Sequence, residues 1–403
     1  MSAFARRIAW AILLVRLGLF DRLEVLRAKS INDYGSFHAA AMAIRKGLDP
    51  YTPDDLQRAA HLSGLPAVHP YFYPPFLAEL LQPLTHYRVL HARLLWFWIT
   101  AACFVATVAL LQRWVSRRNE VAGTAFVVAV CALWPLRSTN MMAQVNAVVL
   151  VLLAAWWVGR DKSPWAGVFL GAAAAIKMSP ALLVLVPLTE KRFREAAVVT
   201  LSGGVLVLGS CALIGAHGMR FLGDVLLGFL PGHRYHGLRV PIDLLGNHSL
   251  GALAYWIFDR GEPWADPLKL SPKAAQFHLA AVATLLAGFA LATWRGATRE
   301  GRAAALVVIM ILAPTFAFEH HVSFVVLPIA LVVALVSRGA LRSPLTWLVL
   351  PALALLTEHE ASFLPPAGAT PKVIAIAHMS KLVPLLVLYV AALLARDRRV
   401  YGA

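Results

Sequence analysis

Residues 90–112 read LHARLLWFWITAACFVATVALLQ, and RWVSRR follows at once as residues 113–118. An α-helix that crosses a bilayer needs about 20 predominantly apolar residues, and this run supplies them. The basic residues behind it match the rule that lysine and arginine collect on the cytoplasmic side of a membrane. The stretch therefore predicts a membrane-crossing helix whose carboxyl end lies in the cytoplasm.

The rest of the chain repeats this pattern. Of the 403 residues, 59% are hydrophobic and 14% are charged, whereas soluble domains carry about 25% charged residues. Apolar runs recur along the whole length, and basic clusters separate them. The clusters fall at residues 6–7, 113–118, 160–162, 191–194, 295–302, 338–342 and 396–399. The composition predicts an all-α polytopic membrane protein with a single integral membrane domain over residues 1–403.

Two crossings between each pair of consecutive clusters place both termini in the cytoplasm and give about twelve transmembrane helices, within a range of about 10–13. The predicted segments are residues 8–20, 90–112, 122–136, 147–159, 165–176, 180–190, 196–216, 274–294, 303–317, 322–337, 343–357 and 373–395. Several are too short to span alone, and we expect them to form half-depth hairpins buried against their neighbours. Residues 74–86 are either another crossing or a re-entrant helix.

This alternation places two long polar segments on the extracytoplasmic side, residues 21–89 and 215–273. Both are rich in Pro, Gly, Tyr, His and Asp, and loops of such length on a helical bundle are usually functional. In the first, an amphipathic stretch of residues 37–46 ends at Gly47, which is a helix C-terminal signal. The pattern predicts an interfacial helix on the membrane surface, with Asp33 just ahead of it.

The excess of basic residues, 37 against 21 acidic, is explained by the cytoplasmic clusters and their attraction to anionic lipids. Nucleic acid is therefore not an expected partner. Cys103, Cys131 and Cys211 lie in apolar segments without metal-ligand spacing, so we expect them to be packing residues. Gly167 and Gly171 form a G-x-x-x-G pattern, which predicts close helix packing.

Polar residues at the outer ends of the apolar segments are the candidate site residues. Asp33 is a candidate catalytic carboxylate and also a candidate N-cap of the helix after it, and the N-cap role does not exclude catalysis. Tyr73, in an aromatic and proline-rich stretch, is either a membrane-interface anchor or part of a site. Gln144 and Asn146 are costly to bury without a partner, so they either cap a helical hairpin or bind sugar hydroxyls.

Cationic candidates lie deeper in the apolar segments. Lys177 follows an apolar run and has no acidic residue near it in sequence. An ionisable residue inside a membrane segment is a functional candidate by default, and an anion such as phosphate is its natural partner; the alternative is a lysine snorkelling from a hairpin tip. His320 and His321 do not share a helix face and so would not chelate one metal in a regular helix. Each can still bond a phosphate oxygen.

Taken in order, these segments resemble the polyprenol-phosphate-mannose-dependent mannosyltransferases of glycosyltransferase family 87, which belong to the GT-C class of membrane glycosyltransferases. The matching pieces are Asp33-Tyr34, Gly47-Leu48-Asp49-Pro50-Tyr51, Tyr73-Pro74-Pro75, Gln144-Val145-Asn146, Ala172 to Pro180 with Lys177, Gly246-Asn247-His248-Ser249-Leu250 and Glu319-His320-His321. The chain departs from the family pattern at Ala143, where the family usually reads Gly, and at His248, where it often reads Gln.

The resemblance implies a GT-C-type bundle and an inverting glycosyltransferase in the plasma membrane. It would move a hexose, mannose by resemblance, from a polyprenyl-phosphate donor to a hydroxyl of a glycolipid or glycan acceptor on the extracytoplasmic side. It also implies Asp33 as the catalytic base. A phosphate leaving group needs positive charge where negative charge builds up, and Lys177 with His320 or His321 would supply it. The residues expected to bind sugar or acceptor are Tyr34, Tyr73, Gln144, Asn146, Asn247, His248 and Glu319.

Such a scheme requires no cofactor and no divalent metal. The expected partners are the lipid-linked sugar, the acceptor and the bilayer. Two alternatives remain: a polytopic flippase or transporter of lipid-linked sugar without glycosyl transfer, and, within the enzyme class, a polyprenyl-phosphate arabinosyltransferase. Coupled transporters commonly hold Asp or Glu in mid-membrane. Here the acidic residues fall in loops or near segment ends, which favours the enzyme.

Overall fold

The structure is a computed structural model of the chain. It describes residues 3–23, 32–234, 238, 240–244, 246–341, 343–358 and 380–396. Throughout these ranges the regular secondary structure is helical, and no strand is present. The predicted all-α class is therefore confirmed for the described part of the chain.

The helices follow the predicted apolar segments closely, except in the two polar segments. In chain order they are α1 Ala3–Val15, α2 Asn32–Arg45, α3 Pro53–Leu62, α4 Pro75–Leu81, α5 Val89–Ser116, α6 Glu120–Ala132, α7 Trp134–Met141, α8 Asn146–Gly159, α9 Gly167–Ile176, α10 Leu185–Thr189, α11 Phe193–Leu213, α12 Ala216–Arg220, α13 Leu226–Gly228, α14 Leu250–Phe258, α15 Pro272–Trp294, α16 Arg299–Leu312, α17 Val326–Ser337, α18 Ser343–Thr357 and α19 Leu382–Leu394. Shorter 3₁₀ or π turns are Arg16–Asp21, Gln82–His86, Pro164–Ala166, Ser179–Val184, Phe221–Val225 and Glu319–Val325.

Four helical stretches are individually long and apolar enough to cross a membrane: α5, α11, α15 and residues 319–337. α6 and α7 meet at an angle of 52° and form a fifth span if they are taken as one. Shorter apolar helical stretches of 10–17 residues in the described ranges are Asn146–Gly159, Pro164–Ile176, Ser179–Thr189, Pro344–Thr357 and Leu382–Leu394. These helices are those of a multi-pass membrane protein, whereas the count of about twelve crossings stays a prediction. α4 and the turn behind it cover residues 75–86, and whether this stretch is a crossing or a re-entrant helix stays a prediction.

The centre of the bundle is formed by α16 and α17. Every residue from Ala303 to Leu312 is buried, and so is every residue from Val326 to Val332. Because these residues are buried on every face, both stretches lie inside the protein and not at its surface. By contrast, α11 exposes Leu201, Val205 and Leu208, which is the pattern of a helix that faces lipid.

The G-x-x-x-G pattern on α9 marks a close contact with α11. A Cβ atom on Gly167 would lie 2.9 Å from the Glu195 carbonyl oxygen, and one on Gly171 would lie 2.7 Å from that of Val199. Only glycine therefore allows the two backbones to approach this far, and the predicted close packing is confirmed.

The basic clusters of the sequence meet at one end of the bundle, which we call the basic end. Ion pairs with N–O distances of 2.7–3.6 Å join them: Arg6–Glu120, Arg118–Glu300, Arg160–Glu190, Arg160–Glu195, Arg192–Asp161, Arg299–Asp161 and Arg338–Glu300. The end of α19 joins them, because Thr298 N–H donates to the Ala395 carbonyl. The clusters thus share one end, as the sequence predicted, while the side of the membrane that this end faces stays a prediction.

The first polar segment differs from its prediction at α2. The helix begins at Asn32, and all residues from Tyr34 to Ala43 are buried. It does not lie on a surface, because α3, α4 and α5 pack around it. Gly47 has a φ of +69° just beyond the helix end, in agreement with the predicted C-terminal signal. Asp33 lies inside the first turn of the helix and not ahead of it, so the N-cap alternative is wrong.

Candidate active site

Asp33 is held by a side chain from a distant part of the chain. Its Oδ2 accepts a hydrogen bond from Nε2 of Gln144, and Oε1 of Gln144 accepts a hydrogen bond of 3.2 Å from the Tyr73 hydroxyl. Burial raises the pKa of Asp33 above its ordinary value of 3.8, against the lowering effects of the Gln144 bond and the charges of His69 and Lys177. A carboxylate with a raised pKa is better matched to take a proton near neutral pH.

The turn between α7 and α8 aims Gln144 at Asp33. Its residue Ala143 has a φ of +48°, a conformation that costs an L-residue about 1–2 kcal/mol and that glycine adopts freely. The Ala143 carbonyl accepts a hydrogen bond of 2.9 Å from Nε1 of Trp96 on α5. The departure from the family's glycine therefore falls at a position where backbone conformation favours glycine.

Lys177 lies beside the same group and is not a snorkelling lysine. It follows α9, where the chain leaves the helix, and its Nζ donates to Oδ1 of Asn146 at 2.9 Å. Nδ2 of Asn146 donates in turn to the His320 carbonyl oxygen at 2.8 Å. The ammonium also lies 5.7 Å from the ring centroid of Tyr73. Lys177 and Asp33 are thus connected through Tyr73 and Gln144.

The 3₁₀ turn Glu319–Val325 brings His320 and His321 to this group. Their ring centroids are 4.3 Å apart at an interplanar angle of 72°, so the two rings are in edge contact. The side-chain amide of Asn146 bonds both the Lys177 ammonium and the His320 carbonyl oxygen, and so it connects the two residues. The structure therefore brings the three predicted phosphate ligands, Lys177, His320 and His321, into one neighbourhood; their binding role stays a prediction.

Glu319 belongs to a buried polar group of its own. Its Oε2 is 2.9 Å from Nε2 of His248, and its Oε1 is 3.6 Å from Nζ of Lys381. Lys381 is fully buried and also donates to the Leu355 carbonyl at 2.8 Å. Lys381 was not among the residues predicted from the sequence, although a lysine within an apolar segment is the signal that identified Lys177.

Two predicted residues do not join these groups through any contact that the described structure shows. Asn247 donates from Nδ2 to the carbonyls of Ile242 and Thr315, at 2.9 and 3.1 Å, and its Oδ1 accepts from the Ala317 N–H at 2.8 Å. These bonds fasten two loops together. Tyr34 stacks on Trp96 with ring centroids 6.3 Å apart. Their predicted roles in sugar or acceptor binding stay predictions.

The Asp49-Pro50-Tyr51 motif lies beside the site and holds the Tyr73 backbone in place. The Tyr51 hydroxyl donates to the Tyr73 carbonyl oxygen at 2.9 Å, and Oδ1 of Asp49 accepts from the Tyr51 N–H at 2.9 Å. Oδ2 of Asp49 pairs with Nε of Arg220 at 2.8 Å. The motif therefore fixes Tyr73 and ties the first polar segment to the second.

Within the residues that the structure describes, no group of three or more His, Cys, Asp and Glu side chains is arranged to hold a metal ion. The predicted scheme without a cofactor or a divalent metal stays a prediction.

Most of these residues lie in a part of the chain that matches a known protein family. The model of glycosyltransferase family 87 matches residues 71–318, a range that contains Tyr73, Gln144, Lys177 and His248 and stops just before Glu319. Asp33 lies outside the match, so its assignment depends on the motif resemblance and on its contact with Gln144.

Two curated relatives carry the same name, polyprenol-phosphate-mannose-dependent alpha-(1-2)-phosphatidylinositol pentamannoside mannosyltransferase. The one from Mycobacterium tuberculosis is 33% identical over 132 residues, 32% of this chain and 30% of the relative. The one from Mycolicibacterium smegmatis is 29% identical over 165 residues, 39% of this chain and 38% of the relative. The chain thus spans well under two thirds of the length of either relative. Because the family model covers more than half of the chain, the protein belongs to glycosyltransferase family 87.

Proposed function

We propose that the protein is an inverting glycosyltransferase that moves mannose from polyprenyl phosphate to a hydroxyl of a glycolipid or glycan. One observation carries the proposal: the Asp33 carboxylate is held by Gln144 in the group that also contains the Lys177 ammonium. The reaction needs one general base together with cationic groups, because a phosphate leaving group departs without being protonated. Glycosidases need two carboxylates instead. The names of the two relatives support mannose as the sugar.

In the proposed reaction, Asp33 takes the proton of the acceptor hydroxyl as its oxygen forms a bond to the anomeric carbon. The bond between that carbon and the phosphate oxygen breaks on the opposite face, and polyprenyl phosphate leaves with the electron pair. Lys177, with His320 or His321, stabilises the charge that develops on the phosphate. Attack from the face opposite the phosphate inverts the configuration, so a β-mannosyl phosphate gives an α-mannoside.

The proposed site faces the extracytoplasmic side of the plasma membrane. The described residues of the basic clusters meet at the other end of the bundle, and such clusters face the cytoplasm. The proposal also retains about twelve crossings and cytoplasmic termini. The apolar helices of 10–17 residues would cross at reduced depth, buried against α16 and α17.

Sugar transfer in membranes is the direct test. Membranes that contain the full chain would receive radiolabelled polyprenyl-phosphate-mannose and an extracted glycolipid acceptor. We expect Asp33→Asn to lower the transfer rate by about 10²–10⁴-fold, the usual contribution of a general base. Asp54→Asn is the matched control, because Asp54 also lies in the first turn of a helix of the same polar segment but is exposed.

Three outcomes would contradict parts of the proposal. Equal transfer by the wild type and Asp33→Asn would remove Asp33 as the base and make Glu319 the next candidate. Transfer from polyprenyl-phosphate-arabinose but not from the mannose donor would change the sugar. If neither donor supports transfer and labelled lipid crosses the bilayer instead, the protein is a flippase.

A further inference from the structure

A cavity at the basic end is distinct from the candidate active site. Its volume is about 770 Å³, and four arginines line it: Arg6, Arg7, Arg113 and Arg117. Gln112, in its wall, lies on the same helix as Trp96, which stacks on Tyr34 near Asp33. At 1.5 Å per residue, about 24 Å of α5 separate Gln112 from Trp96. A ligand in the cavity therefore cannot be a reactant at Asp33.

The cavity keeps an excess of positive charge. Arg6 pairs at 3.4 Å with Glu120, which is itself largely exposed. In the described ranges, no carboxylate forms an ion pair with Arg7, Arg113 or Arg117. Elsewhere at this end, Arg118 and Arg160 each pair with a carboxylate. The charge that remains is thus concentrated between α1 and the end of α5.

The wall of the cavity offers polar atoms without partners. Gln112 is only 8% exposed; its Oε1 accepts from Nε1 of Trp10 at 2.7 Å, whereas its Nε2 has no partner. Oγ of Ser116 lines the same cavity and has no partner either. A buried donor is costly unless something bonds it. The amide N–H₂ and the hydroxyl both suit a ligand with acceptor oxygens.

The side of the cavity formed by α1 is apolar. Ala11 and Leu14 line it, and the apolar surface continues beyond the arginines along α1 and the turn Arg16–Asp21. Leu14 is 51% exposed, Val15 52% and Leu19 51%. This is the surface along which an acyl chain would lie, whereas a small soluble anion would not use it.

We propose that this cavity binds the phosphate headgroup of an anionic phospholipid from the leaflet at the basic end. The guanidinium groups of Arg7, Arg113 and Arg117 bond the phosphate oxygens, as basic residues near a membrane surface do. Nε2 of Gln112 donates to the same headgroup. The acyl chains lie against Leu14 and Val15. The proposal does not depend on the reaction at Asp33.

Lipid titration of the detergent-solubilised full chain, read by native mass spectrometry, tests this site. The probe is phosphatidylglycerol, with phosphatidylcholine as the zwitterionic comparison. We expect the double variant Arg113→Gln/Arg117→Gln to bind phosphatidylglycerol about 25-fold more weakly, at about fivefold for each juxtamembrane arginine. Lys191→Gln/Arg194→Gln is the matched control, because it removes the same charge from exposed residues of the same end outside the cavity.

Gln112→Leu separates the cavity from surface charge, because it removes the unpaired donor, together with the acceptor of the Trp10 bond, without changing any charge; we expect it to weaken phosphatidylglycerol binding and not to change that of phosphatidylcholine. Unfolding temperatures of all variants in detergent identify any that fail to fold. Equal weakening in the Lys191/Arg194 control would show that general surface charge, and not this cavity, binds the lipid. Equal affinity for the two lipids, or displacement of phosphatidylglycerol by millimolar inorganic phosphate, would also overturn the proposal.

Discussion

Gln144→Leu tests the contact on which the proposed mechanism depends. Leucine has nearly the same size, but it cannot donate the hydrogen bond that Oδ2 of Asp33 accepts from Nε2. That bond favours the ionised carboxylate and lowers its pKa. A hydrogen bond to a charged group contributes about 1.5–3 kcal/mol. At 1.36 kcal/mol per pKa unit, its loss raises the pKa of Asp33 by about 1–2 units.

The sign of the effect on activity follows from the role of Asp33. A general base works only when it is deprotonated, so transfer is lost as the pH falls through its pKa. We therefore expect the acid limb of kcat/KM to move to higher pH by about 1–2 units in Gln144→Leu. Toward alkaline pH the rate of the variant should approach that of the wild type, apart from any loss of positioning.

The assay is mannosyl transfer measured between about pH 4 and pH 9, the range in which a carboxylate with a raised pKa titrates. Gln276→Leu is the matched control, because Gln276 is exposed on α15. An unchanged acid limb in a folded Gln144→Leu variant would refute the reasoning, since either Gln144 does not bond the ionised carboxylate or Asp33 is not the base.

Three further substitutions test other parts of the structure. Ala143→Gly should raise the unfolding free energy by up to about 1 kcal/mol and keep transfer activity, because relief of the positive φ exceeds the added chain entropy; a lower unfolding temperature would contradict this. Lys177→Met should lower kcat by about 10²–10³-fold, as loss of a preorganised charge does, with Lys177→Arg retaining more activity, and wild-type rates for Lys177→Met would exclude its role at the phosphate. Glu319→Gln should lower the unfolding free energy by about 3 kcal/mol, because it removes the charge that pairs with buried Lys381; the double variant Glu319→Gln/Lys381→Met should regain part of this loss, and additive losses in thermal unfolding would contradict the pairing.

The apolar segments were predictable because the bilayer and the protein core impose composition locally. Residues 147–159 and 165–176 were predicted within one residue of the observed helical stretches. Local composition did not determine how many helices cross the membrane, because helices of 10–17 residues are shorter than a bilayer needs on their own. Whether such a helix crosses depends on its neighbours.

The α2 prediction shows where a local pattern misleads. The amphipathic pattern of residues 37–46 predicted a helix on the membrane surface. The small residues of this helix, Ala39, Ala40 and Ala41, are completely buried, because small side chains let other helices approach closely. Sequence alone does not distinguish an alanine face that meets lipid from one that meets protein.

The sequence by itself determined that the chain is an apolar helical protein with basic clusters on one side. It also identified Asp33 and Lys177 as candidate site residues. The first conclusion and the choice of Lys177 follow from the cost of placing charge among apolar groups, which is a local property, whereas Asp33 was indicated by its place in the first polar segment and by the family resemblance. Only the tertiary structure decided that Gln144 reaches Asp33, that Asn146 connects Lys177 to His320, and that Lys381 pairs with Glu319. Each of these contacts joins residues far apart in the chain, and their geometry is set by helix packing, which no single segment encodes.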